Sequence, residues 1–473
     1  MKNRIYIKDL KEHIGTHSTG SGQGEVIIAG WVDARRDQGK MVFFDIRDMS
    51  GRVQCVVLPK LVSKETNRPD SPLENLRPNH GDAIEKAKEI RPEWVLKVTG
   101  FVNKRSERNI KAGVMNGDVE LEVTAIEVLS RAQELPFGSD AELNIDTLLD
   151  YRPLTLRRER ERAIFKVQDA ILYSYREFLK NEGFTEFRAP LIVGGDAEGG
   201  TEVFKFEYFY NQMANLATSP QLYKQMMVGV YERVFTITNV FRAEKHSTSR
   251  HLNEYTSLDL EMGFIDGPKD VMKLETNLLR YMTEYLKNNC KKEFETLGGE
   301  FPIIPDGEII PFMKLSEAQK LISKETRVDC TTEPDLQPEH ERWLSDYAKS
   351  EFNSDFIFIT NFPRKKRPFY AMDDEEDEGT TKCYDLLFRG VELLSGNQRE
   401  HRYDVLVEKM KWKGLDPEKF DFYLQAFKYG IPPHGGLAMG LERLTQKFLG
   451  IKNVKEATLF PRDINRIDKR LSE

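Results

Sequence analysis

Residues 241–262 read FRAEKHSTSRHLNEYTSLDLEM. Together with the VFTITNV before them they form two β-rich runs about a polar loop, and that text predicts an antiparallel hairpin. Arg242 and Glu244 stand at its mouth, and the loop carries Lys245, His246, Arg250 and His251. A guanidinium presents a planar fork that matches phosphate oxygens, so Arg242 could hold a reacting phosphate while the loop cations grip the outer ones of a polyphosphate. On its own the fragment reads more simply as an exposed, charged hairpin tip. The text on either side decides between the two.

Upstream, Ile164, Val167, Ile171, Leu172, Tyr175, Phe178 and Leu179 recur at helical spacing and Gly183 follows as a stop, which predicts a long amphipathic helix. It leads into FTEFRAPLIV (184–193), a strand-like run carrying Pro190, and then into GGDAEGGTEVF (194–204). The glycines there suit either a mobile lid bearing Glu198 or a plain exposed turn. Downstream, YDLLFRGVELLSGNQREH (384–401) places Asp385, Glu392, Ser395 and Arg399 along one β-like stretch. On an unbroken strand Asp385 and Glu392 would face opposite ways, unless a bulge near Gly390 or a break into two strands reorients them. Glu392 and Ser395 offer hard oxygens suited to Mg²⁺, with structural salt bridges as the alternative use. HGGLAMGLERL (434–444) has Gly435, Gly436 and Gly440 for close backbone approach and sets Arg443 on the first turns of a helix stopped by Gly450. The run Asp373–Glu378, DDEEDE, reads as a solvated acidic loop.

The N-terminal third has a different grammar. EVIIAGWVDARR, MVFFDIRD and RVQCVVL, separated by turn residues, predict a three-stranded meander from Glu25 to Leu58. An irregular, charged stretch from Pro59 to Pro92 follows, then WVLKVTGFV and DVELEVTAIEVL. Five strands in this span suit a small Greek-key barrel of the OB type, a fold that often binds single-stranded nucleic acid. Pro136 and Gly138 mark a hinge, so the expected layout is a barrel over 1–130, a hinge over 131–150 and an α+β catalytic domain over 151–473.

The composition agrees with a folded protein of two or three domains: 473 residues, 39% hydrophobic and 31% charged. A net charge of −7 argues against indiscriminate nucleic-acid binding, so a nucleic-acid partner must meet a local basic face. No apolar run approaches the roughly 18 residues that span a bilayer, and MKNRIYIKDLKEH at the N-terminus lacks an apolar signal region, which predicts a cytoplasmic protein without membrane contact. Cys55, Cys290, Cys330 and Cys383 are scattered, with no C-x-x-C pair to suggest a disulfide framework or a thiolate zinc site.

In this order, the motifs resemble the aspartyl branch of the class II aminoacyl-tRNA synthetases, in its archaeal and eukaryotic form without the bacterial insertion domain. FLKNEGFTEFRAPLIV is similar to the class's first motif, FRAEKHSTSRHLNEYTSLDLEM to the second and GLAMGLERL to the third. The resemblance spans nearly the whole chain and implies an antiparallel catalytic sheet flanked by helices, behind an OB-fold anticodon-binding barrel. The HIGTHS text at His13 is an isolated echo of a class I signature without the strand-to-helix context that signature needs.

The resemblance also implies roles. ATP and Mg²⁺ would be used, with Arg242 on the α-phosphate, Glu244 and Tyr255 at adenine, Arg250 and His251 toward the outer phosphates, Arg443 over the nucleotide, and Glu392 with Ser395 on the metal. SPQLYKQ (219–225) resembles the aspartyl signature. Gln221 would line the amino-acid pocket, Lys224 and Arg399 would meet the substrate's side-chain carboxylate, Asp385 its ammonium, and Glu198 would close over it. Two cations suit a dicarboxylic amino acid, whereas a lysyl pocket would need acidic groups. Pro190 would lie at a homodimer interface. In the barrel, Phe43 and Gln54 would contact anticodon bases, with Phe44 as the core member of its pair, and Arg35, Arg36, Lys40 and Arg47 would supply the basic field. The expected partners are aspartate, ATP and tRNA(Asp), with tRNA(Asn) an open second acceptor.

Overall fold

The computed structural model describes residues 2–14, 24–39, 41–58, 81–138, 140–195, 202–245 and 248–467. They form two compact units, 1–141 and 142–473, whose boundary falls inside the stretch expected to be a hinge.

The first unit is a closed barrel of β1 (Val26–Asp37), β2 (Val42–Arg47), β3 (Arg52–Val57), β4 (Val95–Lys104) and β5 (Val119–Ser130), in the order β1-β2-β3-β5-β4. Alternation explains it: Leu96, Val98, Gly100 and Val102 of β4 point inward and their neighbours out. Phe44 is buried and Phe43 half-exposed, as the pattern in β2 requires. The stretch expected to be irregular contains a helix, Gly81–Glu89, laid on the barrel through Ala83, Ala87 and Ile90. Alanines make a faint apolar stripe, which hid it. Residues 59–80 lie outside the described residues.

The second unit is built on an eight-stranded sheet. Its strands, with those of a small three-stranded sheet, are β6 (Thr185–Glu186), β7 (Ile192–Val193), β8 (Lys205–Glu207), β9 (Met213–Leu216), β10 (Arg233–Phe241), β11 (Glu254–Gly263), β12 (Phe312–Lys314), β13 (Phe356–Thr360), β14 (Cys383–Phe388), β15 (Val391–Gln398) and β16 (His434–Gly440). The large sheet runs β12-β13-β14-β15-β16-β11-β10-β6, and β7, β9 and β8 form the small one. The centre is antiparallel as expected, but the two short edge strands, β6 and β12, pair parallel to their neighbours. The long helix is Glu159–Asn181; Ile164, Val167, Ile171, Tyr175, Phe178 and Leu179 are buried and Gly183 adopts φ +81° beyond its end. The helix expected after Asp416 is broken into a 3₁₀ turn, Pro417–Phe420, and a helix, Asp421–Lys428.

The acidic run is not a freely solvated loop. Asp373 pairs with Lys409 at 2.6 Å and Arg364 at 3.3 Å, Asp374 accepts from Asn361 at 2.6 Å, Glu375 meets Arg402 at 3.5 Å and Asp377 meets Lys314 at 2.9 Å. Four of the six carboxylates pin this loop to the sheet and its neighbours.

In the core, the Tyr384 hydroxyl donates to Glu275 Oε2 at 3.1 Å, while Glu275 Oε1 is buried without a hydrogen-bond partner among the described residues. Burial pushes this carboxyl well above its ordinary range. A folded-state value above the unfolded one means stability that is present below the unfolded pKa and lost as pH rises. Glu275→Gln should therefore gain melting temperature over the parent as pH rises above the ordinary carboxylate range. A difference independent of pH would show that the carboxyl does not titrate in this way.

Candidate active site

A cleft of about 1230 Å³ is lined from β11, β15 and β16 and from the helices Gln221–Tyr231 and Leu441–Leu449. Two clusters of charge stand on its walls.

The first cluster belongs to the β10–β11 hairpin. Arg242 lies one residue beyond the last pair of the ladder, Phe241 with Glu254. Its N–H donates to Asn253 O at 2.9 Å, and the Asn253 amide donates back to Arg242 O at 2.6 Å and Glu244 O at 3.0 Å. Asn253 thus staples the mouth of the hairpin, a role the sequence reading missed. The Arg242 guanidinium sits 5.8 Å from the Tyr255 ring centroid and 3.8 Å from Glu244. Arg250 and His251 come from the loop to the cleft wall, His251 Nδ1 lying 2.6 Å from the Thr248 hydroxyl. His246 and Glu198 lie outside the described residues.

Opposite residue types meet it from β15 and the last helix. The strands β14 and β15 are separate, joined through Arg389 and Gly390, and the register shifts so that Leu393 is the extra residue. That bulge brings Glu392 to the side of Ser395, whose hydroxyl donates to Glu392 Oε1 at 3.0 Å. Burial and then the nearby Asp385 push the Glu392 carboxyl up to about 7. Its freed N–H donates to Glu341 Oε2 at 3.1 Å, and Arg443 Nη1 donates to Glu392 O at 3.0 Å. Glu442, beside Arg443, accepts the Thr256 N–H with both oxygens, at 3.1 and 3.0 Å, and burial raises it to about 7. Since β16 ends at Gly440, opposite Ser257, this side chain takes over the ladder where the strand stops. Asp385, expected toward the substrate, is held bidentately by Arg367 at 3.2 and 2.6 Å.

The second cluster is buried. Lys224 Nζ lies 2.8 Å from Asp259 Oδ1 and 3.7 Å from Glu261 Oε2, and donates to Leu437 O at 2.9 Å. Arg399 donates to Glu261 at 2.7 and 3.1 Å and to Asn397 Oδ1 at 2.6 Å. Burial would raise Glu261, but Arg399 and Lys224 outweigh it and hold the carboxyl below its ordinary value. Gly436 makes room for this acid: a Cβ there would stand 2.3 Å from Glu261 Oε2. Gly435 is less tight, at 2.8 Å from Asn397 O, but still closer than a Cβ tolerates, whereas at Gly440 the nearest atom is 3.9 Å away and close approach is not its reason. Gln221 donates to Gln225 Oε1 at 3.0 Å, and Gln225 meets His434 Nε2 at 3.1 Å. Burial lowers His434 to about 4, so it is neutral, its Nδ1–H directed to Pro432 O at 2.9 Å.

The quartet Lys224, Arg399, Asp259 and Glu261 is electrically neutral, so counting only its cations overstated the positive charge. The missing acids were legible: Ser257, Asp259 and Glu261 alternate along β11 with Leu258, Leu260 and Met262, a polar face on a strand whose other face is apolar.

On the barrel, Arg36 stands opposite Phe43 and Asp45 opposite Gln54, so all four share the outer face of β1–β3. Arg36 is exposed. Arg35 instead donates to the carbonyls of Ala87 and Lys88 at the end of the added helix, and Arg47 is buried against Glu93 at 2.6 Å. Those two contribute little to an open basic field, and Lys40 lies outside the described residues.

The cleft is nucleotide-sized and lies on the antiparallel centre of the sheet, between an arginine-bearing hairpin and the helix Leu441–Leu449. Residues 144–464 match the tRNA synthetases class II (D, K and N), and residues 26–129 match the OB-fold nucleic acid binding domain. The chain is 44% identical over 468 residues to the aspartate–tRNA(Asp/Asn) ligase of Thermus thermophilus, covering 98% of this chain and 99% of that one. It is 38% identical over 463 residues to the aspartate–tRNA(Asp) ligase of Pyrococcus abyssi, covering 97% and 99%. Among solved structures it is similar to asparaginyl-tRNA synthetase from Pyrococcus horikoshii complexed with asparaginyl-adenylate, at 30% identity and TM-score 0.84 over 99% of this chain and 100% of that one. Aspartyl tRNA synthetase from Entamoeba histolytica follows at 27% identity and TM-score 0.82, over 98% and 93%. The chain belongs to the class II tRNA synthetases of the aspartate, lysine and asparagine group.

Proposed function

We propose that this chain is an aspartate–tRNA ligase, which activates aspartate with ATP to aspartyl-adenylate and pyrophosphate and passes the aspartyl group to the 3′ end of tRNA. The observation that carries aspartate over asparagine or lysine is the buried pair Lys224 and Arg399, held on the cleft wall on either side of Glu261. Three of the five Arg399 N–H donors are used by Glu261 and Asn397, leaving two for a carboxylate. Selectivity then comes from preorganised donors rather than from net charge. Exchange of pyrophosphate into ATP tests this reading: aspartate should drive it and asparagine and lysine should not.

In the first step the aspartate α-carboxylate attacks the ATP α-phosphate and pyrophosphate leaves; positioning and charge stabilisation do most of the work. Arg242 binds the α-phosphate, Tyr255 and Glu244 hold the adenine, and Arg250, His251 and Arg443 take the remaining phosphates. No group of three or more metal-ligating side chains occurs among the described residues. Mg²⁺ takes few protein ligands and keeps water and phosphate. Glu392 and Ser395 would hold it, and a cation beside Glu392 would offset the burial and, after it, the repulsion from Asp385 that raise its pKa. When bound, the metal neutralises triphosphate charge.

A homodimer is supported by exposed apolar residues: Leu191 and Ile192, which follow Pro190 in the chain, and Phe209, Tyr210 and Met213, in or next to the strands of the small sheet that Ile192 joins, Tyr210 being exposed by 95%. No helix among the described residues is long and apolar enough to cross a membrane, and a cytoplasmic site of action is part of the proposal.

The barrel would read the anticodon, and its choice between tRNA(Asp) alone and both tRNA(Asp) and tRNA(Asn) is assigned to Asp33. This residue sits at the bulge of β1 and pairs with Arg52 at 2.8 Å and Arg47 at 3.6 Å. Phe43→Ala should weaken charging of every accepted tRNA, by the roughly 1–3 kcal/mol that base stacking contributes. Asp33→Ala should instead change the ratio between tRNA(Asp) and tRNA(Asn). Charging both transcripts with each variant checks this, and a ratio moved by Phe43→Ala but not by Asp33→Ala would misplace the determinant.

A further inference from the structure

An acidic chain that handles RNA needs local basic faces, and the barrel's outer face offers only Arg36 among the arginines expected there. A second basic face borders the catalytic cleft. The texts RKKR (364–367) and KMKWK (409–413) contain seven cations. They are adjacent in space: the Arg364 guanidinium lies 4.5 Å from the Trp412 ring centroid, Lys413 Nζ lies 5.1 Å from it, and Lys413 donates to Lys365 O at 2.8 Å. Asp373 engages Arg364 and Lys409, and Asp385 engages Arg367. Lys365, Lys366, Lys411 and Lys413 form no ion pair among the described residues, although Asp335 is near enough to feel Lys366 and Arg367. The Lys413 ammonium is lowered by burial and then by its neighbours Lys409 and Arg364, as in a field of one sign.

Trp412 is 48% exposed on this face. An exposed indole among lysines is the composition of a single-stranded nucleic-acid site, where bases stack and phosphates meet cations. Lys365, Lys366 and Lys413 also line the cleft. The chain continues from Arg367 through Pro368 and Phe369 to Tyr370, whose ring lies 5.4 Å from the Arg399 guanidinium, so the face runs into the amino-acid end of the site.

We propose that this rim receives the single-stranded 3′ end of tRNA, with Lys365, Lys366 and Lys413 meeting its phosphates and Trp412 stacking one of its bases. The inference rests on the ligase reading and names where that reading's second substrate enters. The alternative source of phosphate is ATP itself, and the two differ in what they predict for the step that needs no tRNA.

The test uses the full-length protein, the double variant Lys365→Ala/Lys366→Ala, and Trp412→Leu beside Trp412→Phe. Pyrophosphate exchange without tRNA should stay within about twofold of the parent, while kcat/KM for tRNA in charging falls about tenfold in the double variant and in Trp412→Leu. Trp412→Phe, which keeps a stacking face, should recover most of the loss. The slope of log(kcat/KM) against log salt should flatten by about 1.4 in the double variant, at ~0.7 for each phosphate contact to a single strand. A parallel fall in exchange would assign the rim to ATP, and unchanged charging with an unchanged slope would leave it a solvated surface; either overturns the proposal. Failure of the parent itself to exchange with aspartate would strike the ligase reading instead.

Discussion

Lys224→Met is expected to lower aspartate-dependent pyrophosphate exchange by about 100- to 1000-fold, since losing one partner of a buried, hydrogen-bonded charge pair costs roughly 2–5 kcal/mol. Two effects overlap in that number. The substrate carboxylate loses a cation, and Asp259 and Glu261, both fully buried, lose a counter-charge in the free protein. The variant should therefore also melt at a lower temperature. Lys224→Met combined with Asp259→Asn removes the stranded charge and should recover melting temperature without recovering exchange. Arg399→Leu should behave like Lys224→Met, because Glu261 spans both cations. Normal aspartate kinetics in Lys224→Met and Arg399→Leu would remove the quartet from substrate recognition.

Arg242→Ala is expected to abolish measurable adenylate formation, a loss of about 1000-fold or more if the guanidinium stabilises charge on the α-phosphate in the transition state. The hairpin should survive, because Asn253 is bonded to the backbone N–H and carbonyl of residue 242 and not to its side chain. The measurement is exchange activity alongside thermal melting. Unchanged exchange in a folded variant would contradict the nucleotide placement, and a melting temperature that collapses would mean the side chain is structural.

Much of the architecture was legible because it rests on local periodicity. The 164–179 stripe, the Phe43 and Phe44 alternation and the Gly183 and Gly450 stops each follow from spacing alone, and each is seen. What escaped depends on partners far away in the chain. Asp385 was read toward the substrate, yet Arg367, 18 residues earlier, claims both its oxygens. Arg35 and Arg47 were counted as an RNA-facing field, yet one caps a helix that begins at Gly81 and the other pairs with Glu93. The relation of Glu392 to Ser395 turned on a bulge at Leu393 that no spacing rule announces. Helix Gly81–Glu89 was lost because alanine supplies its buried face. The charge balance of the cleft therefore needed the fold as well as the sequence. Asp259, Glu261, Asn253 and Glu341 set the orientation of groups whose own identities were plain.

The most direct measurement is charging of a purified tRNA(Asp) transcript by the full-length protein with ATP and Mg²⁺, supplied in turn with aspartate, asparagine and lysine at equal concentration. Aspartyl-tRNA should form from aspartate alone, dependent on Lys224, Arg399 and Arg242. Efficient charging with asparagine or lysine, or none with aspartate, would contradict it.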